Sequence, residues 1–196
     1  MKVLAICGSP RRNGNTETLL RTVLEPIAAA GVETEIVRLA DRKVRGCTAC
    51  MGCSKLEKPC CVQEDPAFDG MVEKFIEADG ILLGSPVYFG SATPEMMAML
   101  DRIGYVCRAN TSGQHFLRRK VGAAVAVARR AGCNFTFAQL NYFFLLSEML
   151  VPGASYWNNG FASAPGTVVD DAEAMRVART LGENFLWLMQ RTHTDR

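Results

Sequence analysis

Histidine is scarce in this sequence, and long apolar runs are absent. The chain of 196 residues contains only two histidines, which are isolated from one another. They do not provide a histidine-based metal site, and neither belongs to a pattern typical of a serine-histidine triad. No stretch approaches the roughly 20 apolar residues of a membrane span. The sequence therefore predicts neither a membrane-spanning protein nor an enzyme built on such a triad.

The sequence does not predict an export signal either. The apolar N-terminal stretch at residues 2–7 is short and turns at once into Gly8-Ser9-Pro10, which does not fit a signal peptide. We therefore expect a cytoplasmic protein in a reducing compartment. In that setting, clustered cysteines are more often metal ligands or redox groups than structural disulfides.

The balance of charge excludes one class of partner. The formal net charge is only +2, and no basic stripe with interleaved aromatic residues is present, so nucleic acid is not expected as the main partner. Internal repeats and low-complexity linkers are absent as well. With 48% hydrophobic residues, the chain is long enough to bury a full core. We expect a single domain over residues 1–196.

Cysteine, in contrast, is abundant and concentrated in one segment. Five of the eight cysteines lie close together: Cys47, Cys50, Cys53, Cys60 and Cys61. Two successive C-x2-C steps let three thiolates surround one centre, and a fourth would complete the shell of an iron-sulfur cluster or of zinc. Free thiols and a disulfide pair are the alternatives. The basic residues around the run would offset the negative charge of a thiolate-bound cluster: Arg42, Lys43, Arg45, Lys55 and Lys58.

Short apolar runs alternate with amphipathic stretches along the whole chain. The apolar runs predict five strands, at residues 2–6, 33–39, 80–85, 121–127 and 151–157. The amphipathic stretches predict helices at residues 16–30, 68–78, 94–106, 135–150 and 170–190. Asn15, Thr93 and Asp170 are start signals for three of these helices.

This alternation predicts a doubly wound α/β fold with a parallel five-stranded sheet. The third and fourth strands are almost entirely apolar, as expected where helices cover both faces of a sheet. The cysteine run lies in an insertion at about residues 41–66, between the second strand and the second helix. Because this insertion is much longer than an ordinary strand-to-helix turn, it predicts a functional loop.

The segment between the first strand and the first helix has the composition of a phosphate cradle. Residues 7–16 combine hydroxyl groups, an amide, glycines, two arginines and a helix N-terminus, without an acidic residue. The ending of a P-loop is absent, and the glycine spacing is not the dinucleotide fingerprint. A polar turn with a good helix cap is the plain alternative.

A second motif follows the third predicted strand. Tyr88, Phe89 and Gly90 are expected at the carboxyl edge of the sheet, where open α/β sheets bind ligands. The two aromatic side chains could line a flat ring, and the backbone N–H groups near Phe89 and Gly90 could donate to a flavin N5. Two aromatics near a turn more often serve packing. Because the predicted phosphate cradle at residues 7–16 lies one βαβ unit earlier and would suit a monophosphate, the two motifs together favour a site for flavin mononucleotide (FMN).

These motifs resemble the NADPH-dependent FMN reductase family of flavodoxin-like proteins. The resemblance rests on residues 8–16, 85–90 and 93–102. The cysteine run is most similar to that of the iron-sulfur flavoprotein branch, whose members carry C-x2-C-x2-C and a fourth cysteine before a 4Fe-4S cluster. The likeness covers nearly the whole chain. It implies a flavodoxin-like three-layer fold with strand order 2-1-3-4-5.

The resemblance also implies functional residues. Phosphate contacts are expected from Ser9, Arg11, Asn15 and Thr16. Isoalloxazine contacts are expected from Pro86, Val87, Tyr88, Phe89 and Gly90. Cluster ligation is expected from Cys47, Cys50, Cys53 and Cys61, although Cys60 has a similar spacing. No side chain is expected to act as a catalytic acid or base. The loop at residues 128–134 departs from the glycine-rich turn of related proteins and is not counted among the flavin contacts.

The implied function is that of an FMN-binding oxidoreductase. Electrons would move between a reduced donor, FMN, a 4Fe-4S cluster and an acceptor; the donor would be NAD(P)H or a ferredoxin-type protein, and the acceptor a small molecule or a protein. The alternatives are a cluster-free NAD(P)H-dependent FMN or quinone reductase, a non-enzymatic flavodoxin-like electron carrier, and a zinc-loop regulatory protein. A homo-oligomer, dimer or tetramer, is expected from the resemblance and from the apolar residues of the cysteine insertion, which are Met51, Leu56 and Pro59.

Overall fold

The computed structural model of the protein describes residues 1–193. Its strands are β1 (Lys2–Cys7), β2 (Glu33–Arg38), β3 (Gly80–Pro86), β4 (Val121–Ala128) and β5 (Asn159–Phe161). Its α-helices are α1 (Asn15–Ala29), α2 (Met71–Glu77), α3 (Pro94–Arg108), α4 (Cys133–Leu146) and α5 (Ala172–His193). Short 3-10 helices lie at Leu39–Asp41, Cys53–Lys55 and Thr167–Asp170. Strands and helices therefore alternate along the chain, as the sequence predicts.

The strands form one parallel sheet in the order β2-β1-β3-β4-β5, which confirms the predicted topology. Helices α1 and α5 pack on one face, where they bury Ala5 and Leu82. Helices α2, α3 and α4 cover the other face, where Ile6 and Leu83 are buried. Because β3 and β4 are covered on both faces, their sequences are almost entirely apolar. Within residues 1–193, no helix is both long enough and apolar enough to cross a membrane.

The fifth strand lies later in the chain than predicted. Residues 151–157 are not a strand, and the observed β5 is Asn159–Phe161. The chain touches the sheet at Leu150 and then leaves it, because Pro152 has no backbone N–H to offer the ladder. Just before the strand begins, Asn158 Nδ2 donates to a backbone carbonyl of β4 at 3.1 Å. The apolar run is thus an irregular excursion between two contacts with β4.

The helix start signals are confirmed only in part. Asn15 does not cap α1: its amide nitrogen donates to the Ala164 carbonyl at 2.8 Å, and its oxygen accepts from the Val168 N–H at 3.1 Å. These distant partners replace the local cap. At α5 the capping oxygen belongs to Asp171 and not to Asp170, and it accepts a backbone N–H of the first helical turn at 3.0 Å.

Helix α3 begins with Pro94 directly after Thr93, as predicted. The Thr93 hydroxyl donates to the Gly8 carbonyl at 3.0 Å, and the Thr93 N–H donates to Ser85 Oγ at 3.0 Å. A Cβ atom added at Gly8 would lie 2.9 Å from Thr93 Oγ1, so this approach requires glycine. The start of α3 is therefore bonded to the ends of β1 and β3, the two strands that lead into the predicted motifs.

Candidate functional site

A cleft of about 240 Å³ lies at the carboxyl edge of the sheet, at the ends of β1, β3 and β4. The chain leaves β1 toward β2 on one side and places β3 on the other side, so this is the switch point of the sheet. The cleft brings the two motifs together, and these predicted flavin-site residues line it: Ser9, Arg11, Asn15, Thr16, Pro86, Val87 and Tyr88.

One end of the cleft is the loop between β1 and α1. Ser9 and Thr16 are buried there, whereas Arg11 is exposed. Ser9 Oγ accepts from the Arg11 backbone N–H at 3.2 Å, so its own hydroxyl hydrogen can be donated to a ligand. A Cβ atom at Gly14 would lie 3.1 Å from the Arg11 carbonyl oxygen, so glycine lets the loop close tightly. Hydroxyls, a guanidinium and the unpaired first N–H groups of α1 together suit a phosphate group.

A buried carboxylate lies directly behind this loop, and the sequence did not reveal its position. Glu17 is only 1% exposed; it pairs with Arg21 at 2.6 Å and with Arg38 at 3.4 Å. It also accepts from the backbone N–H of Asn13 at 3.2 Å, where the backbone has a positive φ of 52°. Burial raises the pKa of Glu17, but these hydrogen bonds outweigh burial and hold it below its ordinary value. The two arginines thus compensate the negative charge behind the cradle.

The other end of the cleft is the turn that follows β3. Tyr88 and Ser91 form an antiparallel bridge with N–H to carbonyl distances of 2.8 and 3.0 Å. Between them, Phe89 and Gly90 have φ values of 51° and 81°, as in a type I′ turn. The backbone N–H groups of these two residues make no backbone hydrogen bond within residues 1–193. They are available to a ring nitrogen of a ligand.

The side chain of Phe89 does not line the cleft. Its ring is fully exposed and borders a neighbouring open depression of about 370 Å³, together with Gly90, Arg129 and Arg130. A bulky residue at positive φ is strained, and here the turn imposes that conformation. Phe89 and Gly90 therefore lie beside the cleft, whereas the other predicted flavin residues lie in it.

The cleft also has walls that the sequence analysis did not assign. They are formed by Val127, Ala128, Arg129, Ala162 and Ser163. Val127 and Ala128 are the last residues of β4 and Arg129 follows the strand, at the carboxyl edge of the sheet, and that position alone could have indicated them. The last two follow β5, whose place in the chain was predicted wrongly. The start of the loop at residues 128–134 thus reaches the cleft.

All eight cysteines are free thiols, and three of them lie outside the cysteine-rich segment of the sequence. Cys7, Cys107 and Cys133 are buried, as predicted for small core residues. Burial raises the pKa of Cys7 to about 11 and that of Cys107 to about 12. These groups remain uncharged thiols at neutral pH, and we assign them no functional role.

The remaining cysteines belong to the cysteine loop, defined here as residues 41–66. Cys47 and Cys50 are exposed, Cys61 is half-buried and Cys53 is buried. Burial raises the pKa of Cys53, and negative charge on Cys61, Cys50 and Cys47 raises it further. The other three predicted ligands therefore lie within electrostatic range of Cys53.

Hydrogen-bond donors contact the sulfurs of Cys47 and Cys50. The Ala49 backbone N–H donates to Cys47 Sγ at 3.5 Å. The Gly52 backbone N–H and the Thr48 hydroxyl lower the pKa of the Cys50 thiol. Such donors stabilise thiolates, so the donor chemistry of the loop fits a soft metal or a cluster. Within residues 1–193, however, no group of three or more histidine, cysteine or acidic side chains is arranged to hold a metal ion.

Comparison with known proteins agrees with this geometry. The model of the NADPH-dependent FMN reductase family matches residues 1–164. An iron-sulfur flavoprotein of Methanocaldococcus jannaschii is 40% identical over 195 residues, which cover 93% of this chain and 94% of the relative. Among solved structures, RosB with bound 8-demethyl-8-formylriboflavin-5'-phosphate has a TM-score of 0.76 at 18% identity, covering 99% of this chain and 81% of that chain. A flavodoxin from the domain Archaea has a TM-score of 0.62 at 14% identity, with coverage of 97% and 99%.

The fold is flavodoxin-like, with the predicted strand order and the cleft at its switch point. The family match covers most of the chain, and a relative of nearly equal length shares 40% of its residues. The chain therefore belongs to the NADPH-dependent FMN reductase family, and it is an FMN-binding oxidoreductase of the NAD(P)H-dependent kind.

Proposed function

We propose that this oxidoreductase passes electrons from a reduced donor through FMN in the cleft, and through a 4Fe-4S cluster in the cysteine loop, to an acceptor. The observation that carries the proposal is the meeting of the phosphate cradle and the type I′ turn at opposite ends of one cleft. A flavin mononucleotide has a phosphate at one end and a flat ring at the other, which matches this arrangement.

Within the cleft, Ser9, Arg11 and Thr16 would bind the phosphate. The Asn15 side chain is engaged with the chain after β5, so its contribution would come from its backbone N–H at the start of α1. Pro86, Val87 and Tyr88 would contact the ring, and the backbone N–H groups of Phe89 and Gly90 would donate to a ring nitrogen. FMN itself supplies the redox chemistry, while the protein binds and orients it.

The open side of the cleft suits an anionic donor. Arg129 and Arg130 are exposed beside the fully exposed ring of Phe89, and this depression adjoins the cleft. A nicotinamide dinucleotide carries both a flat ring and phosphate groups, so NAD(P)H fits these side chains as the donor. A ferredoxin-type protein is the alternative donor, and the acceptor is a small molecule or another protein.

We assign the cluster to Cys47, Cys50, Cys53 and Cys61. Three arguments support this assignment: negative charge on Cys47, Cys50 and Cys61 raises the pKa of Cys53, backbone N–H groups donate to the sulfurs of Cys47 and Cys50, and the 40% identical relative is named an iron-sulfur flavoprotein. A bound 4Fe-4S cluster would supply one-electron transfer next to a two-electron flavin.

The first experiment identifies the cofactors. Protein purified without oxygen is expected to contain FMN by mass spectrometry, together with iron and acid-labile sulfide, and to oxidise NAD(P)H. FAD as the tight native ligand would contradict the cleft assignment. If the protein contains zinc and no iron, the role of the cysteine loop is structural and not redox.

Cysteine substitutions test the cluster separately from the flavin. Cys50→Ala is expected to abolish iron-sulfur absorbance while FMN stays bound, because the flavin cleft is built from other loops. Cys60→Ala is the matched control in the same loop and should retain both cofactors. The measurement is iron and sulfide per FMN, with the visible spectrum.

A cluster-free NAD(P)H-dependent FMN or quinone reductase is the second candidate. One observation favours it: within residues 1–193 the cysteine sulfurs do not form a closed ligand shell. Anaerobically prepared wild-type protein with full FMN but neither iron nor sulfide would establish this candidate in place of the first.

A further inference from the structure

A buried ion pair joins the cysteine loop to helix α3, and the flavin cleft does not use it. Asp65 lies at the end of the loop and is 4% exposed, while Arg102 lies in α3 and is 1% exposed. Burying two charges costs desolvation energy, and well-packed apolar residues would often give equal stability. The pair therefore calls for a role other than stability alone.

We propose that Arg102 and Asp65 are a positioning pair that holds the two legs of the cysteine loop together, so that its four thiolates can close around one soft-metal centre when the metal binds. The inference rests on the proposed metal site of the cysteine loop. The two legs are residues 41–53 and residues 60–66.

Arg102 bonds to both legs at once. Its Nη1 donates to the Arg45 carbonyl at 3.3 Å, two residues before Cys47. Its Nη2 donates to the Gln63 carbonyl at 3.2 Å, two residues after Cys61. One planar guanidinium thus fixes the chain just before the first predicted ligand and just after the last one.

Asp65 completes the clamp from the opposite side. Its Oδ2 accepts from the Arg45 backbone N–H at 3.1 Å, and its Oδ1 accepts from the Ala67 backbone N–H at 3.2 Å. Burial raises the pKa of Asp65, but the hydrogen bonds from Arg45, Arg102 and Ala67 hold it below its ordinary value. The Arg102 guanidinium also stacks 3.7 Å from the centre of the Phe68 ring. Both charges are therefore retained and fixed in orientation.

The legs also touch each other close to the sulfurs. Gly52 packs directly on Val62, because a Cβ atom added at Gly52 would lie only 2.4 Å from Val62 Cγ2. Gly52 directly precedes Cys53, and Val62 directly follows Cys61. Closing the legs with the ion pair thus brings the neighbours of two predicted ligands into contact.

The same helix connects the cysteine loop with the flavin cleft. Thr93 fixes the start of α3 to Gly8 and Ser85, and Arg102 holds the loop nine residues further along. An α-helix rises about 1.5 Å per residue, so roughly 14 Å of rigid helix separates the two attachments. The positioning pair consequently also fixes where the cysteine loop lies relative to the cleft.

Arginine is required for this role because the two carbonyls need a forked donor. Lysine offers a single nitrogen, which does not reach the Arg45 and Gln63 carbonyls in the same geometry. Arg102→Lys keeps the positive charge beside Asp65 but loses the bridge between the legs. This variant separates positioning from simple charge compensation.

The test compares FMN-loaded wild type, Arg102→Lys and Lys120→Met. Lys120 is a matched control because it is another buried cation that donates to backbone carbonyls, those of Ile76 and Ala78 at the end of α2. Three quantities are measured: iron and sulfide per FMN after anaerobic reconstitution, Co²⁺ affinity from the thiolate charge-transfer absorbance, and the melting temperature.

We expect Arg102→Lys to lose the cluster and to bind Co²⁺ about 10- to 100-fold more weakly, with FMN retained, since outer partners of metal ligands have effects of this size. Lys120→Met should melt at a lower temperature and bind both metals like the wild type. If Arg102→Lys does not fold, the neutral double variant Arg102→Met/Asp65→Asn replaces it, with the same expected loss.

Equal Co²⁺ affinity in Arg102→Lys and wild type would overturn the proposal, and so would an equal loss in Lys120→Met. Wild type that binds Co²⁺ in an Arg102-dependent manner, but takes up no iron and sulfide, would leave the positioning pair standing and reject the 4Fe-4S assignment. Wild type that binds neither metal would reject both.

Discussion

At the scale of single residues, the cradle of the cleft depends on charges of both signs. Arg11 is exposed at the phosphate end, while the adjacent Arg12 points to Asp41 and pairs with it at 2.7 Å. Glu17 lies behind the same loop, and its charge is compensated by arginines. Neighbours in sequence thus have separate roles, and each can be tested by one substitution.

Arg11→Ala is expected to weaken FMN binding by roughly 1 to 3 kcal/mol, because a charge-assisted contact with the phosphate is lost. Titration calorimetry of FMN into the apoprotein measures this loss. Arg12→Ala is the matched control: it removes the neighbouring guanidinium, which is engaged with Asp41. Equal losses in the two variants would mean that Arg11 acts only through the general positive potential of the loop.

Glu17→Gln is expected to lower the free energy of unfolding by about 1 to 3 kcal/mol at pH 7, because buried hydrogen bonds to a charged group are lost. The pKa of Glu17 is lowered in the folded protein, so its contribution is present above the unfolded value of about 4.3 and is lost as the pH falls through the folded pKa. Denaturant unfolding should therefore show a difference between variant and wild type that shrinks below about pH 4. A difference that does not change with pH would rule out the ionised carboxylate as its cause.

At the scale of elements, strands with a continuous apolar pattern were predicted well, and irregular segments were not. Strands β1, β3 and β4 lie within one residue of the predicted ranges, because a buried parallel strand has an unmistakable apolar run. The edge strand β2 is mostly half-buried and mixed in sequence, and its observed range also lies within one residue of the prediction. The run at residues 151–157 looks similar in sequence, yet Pro152 keeps it out of the ladder. The cysteine loop has no periodic pattern, so its path follows from contacts between its legs.

Gly52→Ala is expected to disrupt the cysteine loop, because the new methyl group would overlap Val62. The backbone at Gly52 has a φ of −64°, which alanine adopts readily, so the effect is steric. Faster tryptic cleavage after Lys55 measures the disruption. The double variant Gly52→Ala/Val62→Ala frees the space and should restore the wild-type rate; failure of this rescue would place the effect elsewhere.

At the scale of the whole molecule, one face is unusually apolar. Between α3 and α4 lies a groove of about 640 Å³ that includes Met97 and Leu100. Tyr142 and Leu146 on α4 border it and are 66% and 67% exposed. Large exposed apolar patches commonly mark protein interfaces, so a second copy of the chain is the partner that we propose for this face.

Light scattering with cofactors bound is therefore expected to give the mass of a dimer or tetramer. Tyr142→Glu should reduce that mass, because it places a charge in the apolar face. Trp187→Glu, on α5 at the opposite side of the sheet, alters an aromatic residue that is 58% exposed and should leave the mass unchanged. A monomeric wild-type protein would contradict the homo-oligomer.

The sequence by itself determined the alternation of strands and helices, the edge of the sheet at which the cleft lies and the chemistry at each end of the cleft, while the strand order followed from the resemblance to the family. Apolar runs identify buried strands, and parallel strands place their carboxyl ends at one edge, so residues 7–16 and 85–90 had to meet there. These conclusions depend on local patterns and on topology, and both can be recognised in one chain.

Only the tertiary structure decided which hydrogen-bond and ion-pair partners the polar side chains have. Asn15 bonds to the chain after β5 instead of capping its own helix, Glu17 is buried between arginines, and Arg102 reaches both legs of the cysteine loop. A polar side chain that is buried must satisfy its hydrogen bonds with whichever groups folding brings near it, and these groups lie far away in sequence. The local sequence pattern therefore does not predict these partners.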